Sequence, residues 1–157
     1  MGFTAANDII LGEGFQVKNT TFSSEDETWT QPWGENKKNR NHYNEMAVNL
    51  TNEDHVQLTL RFRVFDDGIG FRYEYTVPTV DSLLITDELT TFRFHRDGTS
   101  WSIPASAETY ELLYQQQPIS EVETANTPFT FKTADGVYGS IHAVSYTHLT
   151  LPTILRV

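Results

Sequence analysis

A chain of 157 residues can bury one sizeable core but is short for an enzyme built on a barrel, so one domain or part of one is expected. Eleven basic against 21 acidic residues give a formal charge of -10, which repels phosphate backbones and anionic lipid and speaks against nucleic acid or a membrane surface as partner. Cysteine is absent, so disulfides, thiolate metal sites and Cys nucleophiles are excluded.

The opening MGFTAANDIILGEGF has neither a basic start nor an apolar stretch of signal-peptide length. No later segment is apolar for long enough to span a bilayer. Phe15 and Val17 follow Gly14 and precede a polar run from Asn19 to Glu27, which reads as a break containing an acidic loop at Glu25, Asp26 and Glu27. Gln31-Pro32-Trp33-Gly34-Glu35 and the hexad Arg40-Asn41-His42-Tyr43-Asn44-Glu45 read as a loop entering a strand that carries Met46, Val48 and Leu50. From His55 to Phe65 the apolar Val56, Leu58, Leu60, Phe62 and Val64 alternate with Gln57, Thr59, Arg61 and Arg63, the pattern of a half-buried strand. Asp66-Asp67-Gly68-Ile69-Gly70 supplies turn chemistry, and Phe71, Tyr73 and Tyr75 resume the two-residue period, so a hairpin is predicted. Further strands are predicted at Leu83 to Thr86, Thr91 to Phe94 and Trp101 to Ile103. A second hairpin joins Phe129 and Phe131 through Thr133-Ala134-Asp135-Gly136 to Val137 and Ile141. No window keeps a helical period with a cap and a stop. The chain reads as all-β, an antiparallel β-sandwich.

The segments DETW, QPWGE, RNHYNE, FRVFDDGIGFRYE and DGVYGSIH resemble glycoside hydrolase family 97, over about Asp8 to His142. The resemblance implies an N-terminal β-sandwich of the galactose-mutarotase-like super-sandwich type, incomplete here. It also implies a catalytic (β/α)8 barrel as the domain's partner and α-linked oligosaccharide as substrate of the intact enzyme. Members are calcium-dependent α-glucosidases or α-galactosidases, mostly in the bacterial periplasm or secreted, with catalytic carboxylates on the barrel. This chain is expected to be truncated at both ends, to carry no catalytic residue and to be inactive alone. Ala143 stands where the family continues with Glu, and residues 143–157 resemble read-through of a sequencing-library adapter; a natural edge strand is the alternative.

One site residue follows from the resemblance. After Trp101-Ser102-Ile103-Pro104 the family places a Glu that joins barrel glutamates around calcium, and Glu111 occupies that position, with Glu108 as substitute if the loop register differs. Calcium takes about six to eight oxygen ligands, so one Glu from this domain implies a shell completed elsewhere. By residue type alone Glu111 is an ordinary solvated acid. Trp29, Trp33 and Trp101 either stack on sugar rings or anchor a core or domain interface. His42 with Glu45 has the i, i+3 spacing of a helical metal pair, but the loop-and-strand context disfavours it; Arg40 and Asn44 are expected to bind backbone carbonyls instead. Asp66, Asp67, Asp97 and Asp135 stand beside turn glycines and read as structural. No carboxylate pair is singled out as a glycosidase acid and base, and Ser-His-Asp, HExxH and phosphate-loop motifs are absent. A free-standing carbohydrate-binding module using the tryptophans is the rival reading.

Overall fold

The computed structural model describes residues 2–6, 11–78, 80, 82–106 and 108–143. Apart from Ala143, the stretch read as adapter lies outside the described residues. Among the described residues the regular elements are strands, antiparallel in both four-stranded sheets, and one 3₁₀ turn, and the fold class is the all-β, antiparallel β-sandwich expected. In chain order the strands are β1 Phe3–Ala5, β2 Gln16–Thr30, β3 Lys38–Thr51, β4 Gln57–Val64, β5 Ile69–Thr76, β6 Ile85–Glu88, β7 Gly98–Ser102, β8 Gln115–Pro118, β9 Phe129–Thr133 and β10 Tyr138–Ile141, with the 3₁₀ turn at Ile119–Glu121. The chain divides into two compact units, one over Gly2–Asp87 and one from Glu88 onward.

The first unit contains a four-stranded sheet in the order β2-β3-β4-β5, and β1 pairs with β6. Directly opposed residues share a face in antiparallel pairs, so the register sorts the side chains. One face carries Leu50, Leu58 and Tyr75 in one row, Val48, Leu60 and Tyr73 in the next, and Met46, Phe62 and Phe71 beyond them. Leu58 and Leu60 are buried, and Val56 just before β4 is buried with them. Phe3 packs edge-on to Tyr73 at 5.2 Å, and Phe15 meets Tyr75 at 6.4 Å. The Tyr75 hydroxyl donates to the Leu11 carbonyl at 2.6 Å, and burial pushes its pKa up to about 12.

The opposite face is charged. Glu45 on β3 accepts hydrogen bonds from Arg61 and, at 2.7 Å, from Arg63, both on β4. Arg61 also donates to both oxygens of Glu74 on β5, at 2.9 and 3.0 Å, and Arg72 joins the same carboxylate. Arg63 lies 4.3 Å over the Tyr43 ring. Hydrogen bonds from Arg63 hold the Glu45 carboxyl below the usual carboxylate range, and those from Arg61 do the same for Glu74. Arg61 is correspondingly raised by Glu74 and Glu45.

Several predicted boundaries shift. The run from Asn19 to Glu27 is not a break but the middle of β2, a 15-residue strand exposed throughout. Its pairing with β3 makes it a strand, while exposure of both faces removes the alternation by which strands are recognised. Residues 40–45 likewise lie within β3 rather than in a loop, and Arg40 binds the Asp26 carboxylate with two bonds of 2.7 and 2.6 Å rather than backbone carbonyls. The first hairpin is as predicted, but its turn is tighter: the Phe65 amide donates to the Gly68 carbonyl at 2.8 Å and β5 already begins at Ile69. His55, assigned to the strand, has φ 61° and precedes it. Thr91 to Phe94 form no strand, only a bridge at Arg93.

The second unit has the sheet order β10-β9-β7-β8. The β9–β10 hairpin has the predicted partners, from Tyr138 opposite Lys132 to Ile141 opposite Phe129. Its core is Ile119, Val122, Ala125 and Phe129, with Phe94, Phe131 and Ile141 packed against it. Gly98 permits the closest approach: a Cβ there would stand 2.1 Å from the Lys132 carbonyl oxygen. Asp97 accepts bonds from the Gly98 amide at 2.8 Å, the Ser120 amide at 3.1 Å and the Ser120 hydroxyl at 2.7 Å, which hold its carboxyl below its ordinary pKa. That brace is the structural role predicted for it.

Candidate functional site

The stretch after β7 in the second unit carries Glu111. Its shape is set by its own hydroxyls: Ser106 Oγ accepts the amides of Glu108 at 3.2 Å and Thr109 at 3.3 Å, and Thr109 Oγ1 accepts the amide of Glu111 at 2.9 Å. Both Glu108 and Glu111 are exposed. Glu111 is flanked by apolar residues that are also exposed, with Leu113 at 88% and Tyr114 at 65%, while Tyr110 and Leu112 are partly so. Among the described residues no group of three or more His, Cys, Asp or Glu could hold a metal ion.

Trp101, on β7, is half-buried and stacks on Tyr138 of the same unit, with ring centroids 6.5 Å apart and planes 13° off parallel. Lys132 covers Tyr138 from 5.0 Å. Trp101 thus takes part in its own unit's packing.

The other two tryptophans belong to the first unit. Residues 25–30 of β2 pair with residues 38–43 of β3, but β4 joins β3 only from Asn44 onward. Among the described residues that part of the sheet is a two-stranded ribbon. Cross-strand bonds hold it: Arg40 to Asp26, and Asn41 Nδ2 to Glu27 at 3.0 Å. At the tip the Gln31 amide donates to the Lys37 carbonyl at 3.1 Å, and the Gln31 and Asn39 side chains both donate to the Asn36 carbonyl. Gly34, at φ 105°, makes the bend between them. The tip displays Trp33 at 81% exposure beside a solvent-open hollow of about 520 Å³ lined by Thr30, Gln31, Pro32, Trp33, Gly34 and Lys37. Trp29 is 49% exposed on the ribbon's β2 strand. Neither belongs to this chain's core.

His42 and Glu45 are not brought together. Three residues apart on a strand, they project from opposite faces, and the Glu45 carboxylate is taken by Arg61 and Arg63. His42 Nδ1 lies 3.9 Å from Asp66, beyond hydrogen-bond reach. The ribbon and the Glu45 cluster were not legible as sites: their signal lies in register, which appears only once the strands are paired.

Comparison with known proteins gives these features a family. The chain matches the family model described as Glycosyl-hydrolase 97 N-terminal over residues 1–151. A variant of a Glycoside Hydrolase Family 97 enzyme from Pseudoalteromonas sp. strain K8, in complex with panose, superposes with TM-score 0.79 at 34% identity, covering 87% of this chain and 22% of that one. The same organism's enzyme in complex with acarbose gives TM-score 0.79, 34% identity and the same coverage, 87% and 22%. A β-arabinopyranosidase shares the fold at TM-score 0.73 and 23% identity, with 87% of this chain and 24% of that one covered. The chain thus spans about a fifth of the length of the solved enzymes it matches, and by sequence and by fold it belongs to the family of N-terminal domains of glycoside hydrolase family 97.

Proposed function

We propose that this domain packs against the catalytic (β/α)8 barrel of a calcium-dependent α-glycoside hydrolase, closes one side of its pocket, and lends Glu111 to a calcium ion whose other oxygens come from the barrel. The observation that carries this reading is the exposed apolar surround of Glu111. Leu113 and Tyr114 face solvent beside a carboxylate that joins no metal-binding group among the described residues. Similarity to an enzyme solved with panose supports an oligosaccharide substrate for the whole protein. The parent is assigned to the bacterial periplasm or outside the cell, where such glycans are met. The domain alone has no glycosidase activity, because the acid and base belong to the barrel; turnover of a nitrophenyl α-glucoside or α-galactoside by the purified chain would refute this.

Bound calcium supplies positive charge beside the substrate, and the part of this chain is to hold one carboxylate oxygen in place. The test is a chimera in which this chain replaces the matched N-terminal stretch of the Pseudoalteromonas enzyme. Glu111→Gln should raise the calcium concentration needed for half-maximal activity and weaken calcium binding in calorimetry. Titrations that coincide with those of the unmutated chimera would remove Glu111 from the shell, and a shift with Glu108→Gln alone would reassign the role.

The exposure of Trp33 favours a second reading, a free-standing carbohydrate-binding module. Saturable heat with maltose or galactosides, lost in Trp33→Ala, would establish it against the first.

A further inference from the structure

The ribbon beyond β4 has the form of an arm. At about 3.3 Å per residue, residues 25–30 extend roughly 20 Å past the point where β4 stops. A two-stranded ribbon with no third strand and no apolar face against a core is marginal in water. All of β2 is exposed, and the apolar packing described for the arm is at its base, where Tyr43 meets Phe65 with ring centroids 5.4 Å apart. Beyond that base, the side-chain bonds that hold it are polar: the exposed Arg40–Asp26 and Asn41–Glu27 pairs and those that fix the tip. Surface pairs of this kind contribute little to stability. The side chains that could anchor it, Trp33 at 81% and Trp29 at 49%, are left in solvent. A tryptophan buries up to about 250 Å² when covered, so the two together offer on the order of 300 Å² of aromatic surface.

We infer that the β2–β3 ribbon is a docking arm and that its occupant is the surface of the family's catalytic domain, with Trp33 as the anchor. This rests on the reading that the chain packs on such a domain. The matched stretch is 22% of the Pseudoalteromonas enzyme's length, so most of that polypeptide is available to cover surfaces exposed here. The tip's chemistry suits a protein surface: an aromatic plane on a bend fixed by Gln31 and Asn39, with Lys37 and Lys38 beside it to meet carboxylates. A sugar platform would call for polar side chains free to turn toward hydroxyls, whereas the Gln31 and Asn39 amides are each tied by an N–H to the Asn36 carbonyl.

The experiment uses the same chimera, with a photo-crosslinking amino acid, itself bulky and apolar, placed at Trp33 in one sample and at Leu113 in another; both positions are exposed in this chain, so neither replacement disturbs the domain's own packing. The expected result is that both crosslink to peptides of the catalytic domain. Trypsin, which cuts after Lys37 and Lys38, should then nick Trp33→Ala at least tenfold faster than the parent chimera. Crosslinks from position 113 but none from position 33 would overturn the arm while leaving the proposed function intact. No crosslinks from either would remove both. Position 33 joining two copies of the chimera, or sugar alone shielding Lys37 and Lys38, would assign the arm to self-association or to glycan and overturn the inference.

Discussion

Glu45 is the side chain on which the charged face of the first sheet turns, and its removal should cost measurable stability. It is 10% exposed and receives Arg61 and Arg63 together. A hydrogen bond between charged groups is worth about 1.5–3 kcal/mol when shielded. The Arg61 bond, to a guanidinium 26% exposed, falls in that range. The Arg63 bond involves a side chain 41% exposed and belongs nearer the surface value of under about 1 kcal/mol. Arg61 keeps Glu74, and Arg63, which loses its carboxylate, is 41% exposed to water and keeps its place over the Tyr43 ring. Glu45→Ala should therefore cost about 2–3 kcal/mol, and for a chain of this size lower Tm by about 5–10 °C. Urea unfolding followed by circular dichroism reads the difference. Asp26→Asn, which breaks the exposed ribbon pair, is the control and should leave the midpoint where it was. A loss below about 0.5 kcal/mol for Glu45→Ala, or an equal loss for both variants, would refute the claim that shielding separates the two ion pairs.

The same cluster sets an acid limit. Folding depresses the carboxyl pKa values of Glu45 and Glu74 below their ordinary 4.5, so their stabilisation is complete above that pH and is lost as pH falls through the folded values; denaturant midpoints should drop on acidification below about pH 4.5, and less so in Glu45→Gln. In the second unit Phe129→Ala should cost about 3–5 kcal/mol, because Phe129 is 3% exposed within the core, and a urea midpoint within error of wild type would contradict that packing. Gly98→Ala should push β9 off β7 and speed amide exchange in β7 and β9, since the obstructing atom is backbone and cannot rotate away; unchanged exchange would mean the strands are further apart than described.

What could be read from the sequence followed from contrast between neighbours. The β4–β5 and β9–β10 hairpins announce themselves because Leu58 and Leu60 alternate with Thr59 and Arg61, and because Gly68 and Gly136 stand at the bends. β2 hides because solvent meets both its faces, so Ser23, Glu25 and Glu27 have no apolar alternates to set them off. β8, whose strand is three glutamines and a proline, hides for the same reason; its place depends on partners in β7, such as Ser100, whose hydroxyl donates to the Gln117 carbonyl at 2.9 Å. The core of the second unit is drawn from the 3₁₀ turn and an irregular stretch, so Ile119, Val122 and Ala125 share no period. For the candidate site, the position of Glu111 came from motif resemblance, and its exposed apolar surround could not have been inferred from residue types. The ribbon depends on where β4 ends relative to β3, a fact of pairing and not of composition.

One property of β2 reaches past the single molecule. Along its outer side this strand meets no other among the described residues, which leaves a row of amides and carbonyls that another copy could zip onto. Glu25, Asp26 and Glu27 make that row repel its own image, since two copies laid antiparallel bring like charges close together. Molar salt, by screening those charges, should turn a guarded strand into a sticky one and favour pairing of copies along this edge.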